Sequence, residues 1–162
     1  RDPQLEGLAR DFIHRQVPPE AGYPQETQIA RRVAGRMAGY AHPVMTLTGS
    51  GNQGIFIGLP FRRLYAEQGE AILPAAVFAL LAQVHLSAQH DRLSETCGLA
   101  TKAGPALAAG LAFARGATPA DIRRIFRAVP ARLAGLTCEG AEPACGRKAR
   151  RVFRAVAAQV RA

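Results

Sequence analysis

Tryptophan is absent from the 162-residue sequence, and aromatic residues of all kinds make up only 6% of it. A hydrophobic core must therefore be built mainly from alanine, leucine, valine and isoleucine. This alanine-rich composition, poor in β-branched residues, favours helices over sheets. Apolar residues make up 48% of the chain, which argues against disorder and provides enough material for a core. We therefore predict a mainly α fold, a compact single-domain helical bundle spanning residues 1–162.

A secretory leader and an uninterrupted apolar run are also lacking. The start, RDPQLEGLARDF, is polar and charged, which argues against a signal peptide. It has no initiating Met, so we expect a fragment, a processed form or one piece of a larger enzyme. The charge-free stretch 71–90 is interrupted by Pro74, Gln83, His85 and Ser87, which fits a buried central helix better than a membrane span. We expect a cytoplasmic protein without membrane contact.

Acidic residues are the scarcer charge, since 12 Asp and Glu stand against 21 Lys and Arg, for a formal net charge of +9. A pI near 10.7 is compatible with nucleic-acid binding. The arginines are spread along helical faces, however, and no aromatic residues interleave with them as a stacking platform would require. We therefore favour a solvated basic surface over a nucleic-acid site. A third interpretation is that the positive potential attracts a small anionic substrate or balances a buried anionic centre.

The spacing of apolar residues predicts helices in the first quarter of the chain. Leu5, Leu8, Phe12 and Ile13 indicate a first helix that ends before a Pro-Pro pair. A second helix is predicted over 26–40, with apolar residues on one face and arginines on the other.

Helices are also predicted in the remainder of the chain. After Pro60 we expect a short basic helical piece and then an apolar helix from about Glu70. Thr118 has the sequence signature of an N-cap, and the helix that it starts is expected to kink or end at Pro130. The segment CEGAEPACG is predicted to be a loop, followed by a closing helix over 147–160.

The stretch LTGSGNQGIF places Gly49, Gly51 and Gly54 in the spacing G-x-G-x-x-G. A dinucleotide-binding loop needs a strand before it and an uninterrupted helix after it. Gly58 and Pro60 follow closely, so we predict that no such helix forms. No further β-α-β pattern follows either, and NAD is therefore not expected as a cofactor.

The sequence contains three cysteines, Cys97, Cys138 and Cys145, and the odd number argues against a complete disulfide framework. Three thiolates suit an incomplete zinc site or a [4Fe-4S] cluster with one iron left open. Zinc would need a fourth ligand, for which His85 and His90 are candidates. Free thiols and a Cys138–Cys145 disulfide are the alternatives, and the spacing alone leaves all of these open.

Four segments occur together in a recognisable order: RMAGYAHPVMTLTGSGNQGI, HLSA, RLSETCGLATKAGPALAAGLAF and LTCEGAEPACGRK. Taken together they resemble the iron–sulfur L-serine dehydratase alpha-chain and L-cysteine desulfidase family. The resemblance covers roughly residues 29–154 and leaves 1–28 outside it. The segment GSGNQG, residues 49–54, is called the glycine loop below. Its form is similar to that of the desulfidase-like members, which favours cysteine over serine as the substrate.

The resemblance implies a largely helical catalytic domain with an oxygen-sensitive [4Fe-4S] cluster. Cys97, Cys138 and Cys145 match the family's cluster cysteines, which leave one iron open. The implied reaction is β-elimination from L-cysteine or L-serine, without pyridoxal phosphate (PLP), to give pyruvate and ammonia. Sulfide leaves from cysteine and water leaves from serine.

Within this resemblance we expect the glycine loop to bind the substrate carboxylate. Its glycines would bring backbone N–H groups close to the substrate, and its polar side chains would add hydrogen bonds. The residues expected to bind substrate are Gly49, Ser50, Gly51, Asn52, Gln53 and Gly54.

Removal of the α-proton requires a base of suitable pKa. His85, His90 and Lys102 are the candidates by their nearness to the motifs. His42, close to the glycine loop, is a further residue expected to line the pocket.

Two departures from the family bear on partners. Full-length relatives carry an N-terminal half with a G-C-T-E-P motif, which is not found in this sequence, and the QHD stretch between HLSA and RLSETC is short. We expect a second chain that supplies the missing half, and a homo-oligomer is a further expectation. The alternative functions are a non-catalytic Fe–S or zinc-binding partner subunit and a basic helical domain that binds nucleic acid.

Overall fold

The computed structural model describes residues 1–90 and 94–161, so Arg92 and Leu93 of the RLSETC motif and Asp91 of QHD lie outside it. Within these ranges the chain forms α-helices joined by turns, with two isolated bridges and no longer strand. The mainly α prediction is confirmed. The helices are α1 (Pro3–His14), α2 (Gln25–Met37), α3 (Gly51–Gln68), α4 (Leu73–Ala88), α5 (Gly104–Ala114), α6 (Pro119–Ala131) and α7 (Cys145–Arg161). A 3₁₀ turn (Gly69–Ile72) joins α3 to α4, and a π-helical turn (Leu99–Ala103) leads into α5.

α1 begins where the Asp2 carboxylate accepts a hydrogen bond from the N–H of Gln4 at 2.9 Å. Phe12 and Ile13 are buried, as their spacing predicts. Leu8 shares that spacing but is 65% exposed, so the helix is confirmed while Leu8 lies outside its buried face.

α3 runs without a break through Gly58 and Pro60, so the prediction that these residues prevent a helix is wrong. A proline in a helix interior costs roughly 3 kcal/mol because a backbone hydrogen bond is lost. Burial of the surrounding apolar side chains outweighs that cost, and Gly58 itself leaves room for the side chain of Gln16. The basic piece predicted after Pro60 is the second half of the same helix. The buried apolar residues are Ile55, Phe56, Ile57, Leu59 and Phe61.

α5 lies at the centre of the fold and packs against α4, α6 and α7, while α2 packs along α7. α5 can approach α4 and α7 closely because glycines stand at the contacts. A Cβ at Gly110 would lie 2.6 Å from the Cβ of Ala79 on α4, and one at Gly104 would lie 2.8 Å from Cγ1 of Val152 on α7. Small residues thus set the spacing between the central helices.

α6 begins with the predicted N-cap. The N–H of Asp121 donates to Oγ1 of Thr118 at 3.2 Å, and the N–H of Thr118 donates to Oδ2 of Asp121 at 3.0 Å, which completes a capping box. Pro130 lies in the last turn of α6. α7 begins at Cys145, so the prediction that placed this cysteine in the preceding loop is wrong.

The continuous helical stretch Gly51–Ala88 is long and apolar enough to cross a membrane by length and composition alone. Core helices of soluble proteins meet the same criterion, so this is weak evidence for a membrane span. Apolar residues of both α3 and α4 belong to the hydrophobic core. α4 packs one side against the core and leaves Leu81 and Val84 about half exposed, so the prediction of a buried central helix is confirmed for one face only.

Candidate active site

A cavity of about 960 Å³ brings the glycine loop and the three cysteines together. Its walls come from the end of α2, the start of α3, the end of α4, the π-helical turn and the loop before α7. The predicted site residues that line it are Gly49, Ser50, Gly51, Asn52, Gln53, His90, Cys97, Lys102, Cys138 and Cys145. Residues far apart in the sequence thus share one space large enough for a small molecule and a bound metal group.

Gly54, His85 and His42 do not line this cavity. Gly54 is buried in α3, where the lack of a side chain lets the backbone carbonyl of Met45 approach the helix. His85 is exposed on α4, with its Nε2 3.0 Å from Nε2 of Gln89. The roles predicted for Gly54 in substrate binding and for His85 as a base therefore have no support from the geometry.

A tight turn precedes α3. Leu47 and Ser50 exchange backbone hydrogen bonds of 3.1 and 3.0 Å, and the two residues between them have positive φ, +50° at Thr48 and +81° at Gly49. Ser50 then caps α3, since its Oγ accepts from the N–H of Gln53 at 3.3 Å. The N-terminus of α3, which carries partial positive charge, lies at the cavity wall.

A buried amide that the sequence interpretation did not assign to the site holds this turn. Gln83 on α4 is 0% exposed, and its Nε2 donates to Oγ1 of Thr48 at 3.0 Å and to Oε1 of Gln53. Ser87, one turn later on α4, donates from Oγ to the same Thr48 oxygen at 3.0 Å. The available signal was a Gln within a mostly apolar helix, because a buried amide needs partners.

Gln53 also approaches the first cysteine segment. A Cβ at Gly98 would lie 2.7 Å from Nε2 of Gln53, so only glycine leaves room for this side chain beside Cys97. The start of α3 is thereby brought next to a cysteine.

Cys97 and Cys138 lie on two short segments that pair with each other. Thr96 and Thr137 form an isolated antiparallel bridge, and the residues after them donate backbone hydrogen bonds across the pair, Cys97 at 2.9 Å and Cys138 at 2.7 Å. This pairing places the two cysteines at the same wall of the cavity.

The three thiols have different surroundings. Cys97 is 7% exposed, and burial raises the pKa of its thiol, an effect opposed by hydrogen bonds from the N–H groups of Leu99 and Ala100 and increased by the nearby Cys138. Cys138 is exposed. Cys145 is half-buried and is the first residue of α7.

All three cysteines are free thiols, so the Cys138–Cys145 disulfide that the spacing left open is not formed. Within residues 1–90 and 94–161, no three His, Cys, Asp or Glu side chains lie close enough together to hold a metal ion. Three sulfur donors at one cavity nevertheless fit a [4Fe-4S] cluster with one open iron. For zinc, His90 lines the same cavity as a fourth donor and His85 does not.

A second, shallower groove of about 530 Å³ lies on α6 and is lined by Arg123, Arg124 and Arg127 together with alanines. It contains no thiol, imidazole or aromatic ring. The groove therefore fits a solvated basic face better than a catalytic site.

Comparison with known proteins identifies the family. The family model described as serine dehydratase alpha chain matches residues 7–161. UPF0597 proteins are similar: that of Thermosipho africanus is 34% identical over 122 residues, or 75% of this chain and 30% of the relative. Those of Kosmotoga olearia and Caldanaerobacter subterraneus subsp. tengcongensis are 35% identical over 116 residues (70% of this chain and 28% of the relative) and 32% identical over 140 residues (85% and 33%).

The chain thus spans about a third of the length of the curated relatives that it matches. No solved structure matches the chain. The match to the family model covers nearly the whole sequence, including the glycine loop and all three cysteines, and confirms the resemblance drawn from the motifs. The chain belongs to the serine dehydratase alpha chain family.

Proposed function

We propose that this chain is the cluster-binding part of an iron–sulfur lyase that carries out β-elimination on L-cysteine or L-serine. The observation that carries the proposal is that the glycine loop and all three cysteines line one cavity. Membership of the serine dehydratase alpha chain family supports a lyase role in amino-acid metabolism. The form of the glycine loop favours L-cysteine.

Cys97, Cys138 and Cys145 would hold a [4Fe-4S] cluster. When bound, it would supply an iron without a protein ligand, which can act as a Lewis acid toward the substrate. The start of α3 would orient the substrate, with Asn52 and Gln53 offering hydrogen bonds beside the helix N-terminus. No PLP is invoked.

The base is best assigned to His90. Its Nδ1 lies 2.8 Å from the carbonyl oxygen of Leu86, and a carbonyl can only accept, so Nδ1 is the donor and the base would be the lone pair on Nε2 of the matching tautomer. His90 also lines the cavity. Lys102, 5% exposed on the π-helical turn, lines it too and is the alternative base.

His90 and the substrate account for every proton and electron pair in the proposed elimination. Nε2 of His90 takes the proton from Cα, and the β-substituent leaves with the electrons of its bond to Cβ, as sulfide or as hydroxide. The resulting enamine tautomerises to an imine, and water hydrolyses the imine to pyruvate and ammonia.

Metal binding is tested by anaerobic reconstitution with iron and sulfide. We expect about four irons per chain together with the broad visible absorbance of a cluster. Cys97→Ala, Cys138→Ala and Cys145→Ala should each lower the iron content, whereas Ser94→Ala, at another cavity-lining residue, should not. Protein that takes up no iron under these conditions would overturn the proposal.

Catalysis is tested by measuring pyruvate from L-cysteine and L-serine, with the chain alone and with a companion chain that supplies the rest of the family's length. His90→Gln should lower kcat by about 10²–10⁴ while iron content stays constant. His85→Gln changes a histidine outside the cavity and is the control. Loss of activity in His85→Gln with retention in His90→Gln would overturn the assignment of the base.

A second candidate is a metal-binding subunit without catalysis of its own. It rests on the three sulfur donors at one cavity, which would hold a metal whether or not the chain also supplies the base. Reconstituted protein that holds iron or zinc but forms no pyruvate, alone or with the companion chain, would support this candidate over the lyase.

A further inference from the structure

Arg36, in the last turn of α2, lines the cavity but has no part in the function described so far. Resting on the proposed function, we infer that its guanidinium binds the carboxylate of the amino-acid substrate. The sequence pattern gave Arg36 no role, because it is one of several arginines along the same helix.

The guanidinium lies directly over the first residue of α3. A Cβ at Gly51 would be 2.5 Å from Nε of Arg36, 2.8 Å from Cζ and 3.0 Å from Nη2. Gly51 is therefore needed at this position to leave space for the guanidinium rather than to allow an unusual backbone conformation. The glycine and the arginine form one unit of the cavity wall.

One edge of the guanidinium is used and the other is available. Nη1 donates to Oδ1 of Asn52 at 3.2 Å, which fixes the plane of the group. Among the described residues, no acceptor contacts Nε or Nη2 and no carboxylate pairs with Arg36. Two parallel N–H donors at a free edge match the two oxygens of a carboxylate.

The surroundings favour an anion at this edge. The guanidinium stands beside the positive end of the α3 helix dipole, and these two positive groups repel each other unless an anion lies between them. Glu95 is the one Asp or Glu among the described residues that line the cavity. An entering carboxylate would therefore gain from both the guanidinium and the helix terminus.

The position also orients the rest of the substrate. Asn52 contacts Arg36, whereas Gln53 lies beside Gly98, next to Cys97. The side chains of these two successive residues leave the helix about 100° apart. The first turn of α3 therefore lies between the guanidinium and the cysteine-bearing segment. A carboxylate held at Arg36 would leave Cβ and its leaving group free to face the thiols.

The test measures binding without turnover. L-alanine has the carboxylate and the amine but no leaving group, and L-alaninamide lacks the carboxylate. Both are titrated calorimetrically into the anaerobically reconstituted chain. We expect Arg36→Gln to weaken L-alanine binding about tenfold or more, as loss of a charge-assisted pair implies, and to leave the weak binding of L-alaninamide unchanged.

Two further variants separate this role from a loss of charge or of fold. Gly51→Ala keeps the arginine but pushes the guanidinium aside, and should weaken L-alanine binding in the same direction. Arg127→Gln removes the same charge from the exposed face of α6 and should bind L-alanine as the wild type does. Helix content by circular dichroism is checked for every variant.

Failure of this inference can be distinguished from failure of the proposed lyase function. Wild-type protein that does not bind L-alanine, or Arg36→Gln that binds it normally, would overturn the inference. Loss of iron in Arg36→Gln with normal L-alanine binding would do so too, because Arg36 would then balance the charge of the cluster. Carboxylate-dependent binding in a protein that makes no pyruvate would support the role of Arg36 and contradict the lyase.

Discussion

At the scale of single residues, the turn formed by residues 47–50 is held in a conformation that its own sequence does not favour. Thr48 is β-branched, yet it has a φ of +50°, a region that such residues rarely adopt. Strain of this kind costs about 1–3 kcal/mol and persists where surrounding contacts enforce it. Here the contacts are the hydrogen bonds from Gln83 and Ser87 to Oγ1 of Thr48. The shape of the turn therefore depends on α4.

We predict that Gln83→Leu lowers the free energy of unfolding by about 1–3 kcal/mol, although leucine is similar in size and more apolar. The reason is that Oε1 of Gln53 loses its buried donor and the turn loses one of its two anchors. Urea denaturation measures the change. Gln68→Leu, at an exposed amide in α3, is the control and should change stability by less than about 0.5 kcal/mol. Equal stability of the Gln83→Leu variant and the wild type would contradict the anchoring role.

Gly98→Ala tests the contact between the glycine loop and the cysteine segment. The new Cβ would lie 2.7 Å from Nε2 of Gln53, so the side chain must swing away and break its bond to Gln83. We expect a loss of about 1–3 kcal/mol, measured by thermal unfolding. Gly7→Ala in α1 meets nothing within 4 Å and should be neutral or stabilise the protein by about 0.5–1 kcal/mol. If both variants behave alike, the close approach of Gln53 does not matter.

At the scale of helices, α2 and α7 pack closely, and one glycine permits this. A Cβ at Gly146 would lie 2.5 Å from the carbonyl oxygen of Ala30 and 2.8 Å from the Cβ of Ala34. Both obstacles belong to the body of α2 rather than to flexible side chains. Because Cys145 precedes Gly146, the position of a proposed cluster ligand is linked to this packing.

We predict that Gly146→Ala forces the two helices apart, lowers stability by about 1–3 kcal/mol and reduces iron uptake on reconstitution. Denaturant unfolding and iron analysis measure the two effects. Arg151→Ala on the exposed face of α7 is the control and should change neither. A destabilised Gly146→Ala variant with full iron uptake would show that the helix contact and the cysteine position are independent.

Local sequence rules predicted the elements that depend on local interactions. The cap at Thr118 and the helices α1 and α2 are of this kind, and they are confirmed. α3 was missed because its continuity through Gly58 and Pro60 comes from contacts with α1 and with the core, which no local rule contains. Tertiary packing overrides propensity in such a segment.

The site shows the same division. The glycine loop and the segments around the cysteines stand out in the sequence as motifs, and the structure brings them to one cavity. The contacts of Arg36, Gln83 and Ser87 could not be predicted in this way, since they form only when α2 or α4 packs beside the start of α3. A single arginine among many carries no signal until its neighbours are known.

At the scale of the whole molecule, one ion pair joins the first part of the chain to the last helix. Arg154 on α7 donates to Glu26 on α2 through Nε at 3.0 Å and Nη2 at 2.9 Å. This hydrogen-bonded guanidinium lowers the pKa of the Glu26 carboxyl. A carboxyl pKa that is lowered on folding stabilises the protein above the pKa of the unfolded state, and the gain is lost as pH falls through the folded value.

We therefore predict that Glu26→Gln lowers the free energy of unfolding at neutral pH by less than about 1 kcal/mol, since the pair is partly exposed. The difference from the wild type should shrink in acid and vanish below the lowered pKa. Urea denaturation at several pH values measures this. Glu67→Gln, whose pair with Arg63 lies within one helix, is the control. A difference that persists in acid would mean that Glu26 acts through packing rather than through charge.

The bridge between Thr96 and Thr137 has a consequence for assembly. Two of the three sulfur donors are fixed by backbone hydrogen bonds that form without any metal, so the entropy of bringing residues 97 and 138 together is supplied by folding itself. For the proposed cluster, only the ligand on α7 would then remain to be brought into place. We therefore predict that removing the proposed cluster leaves the helices folded, unlike a zinc finger, which unfolds when its ion is removed.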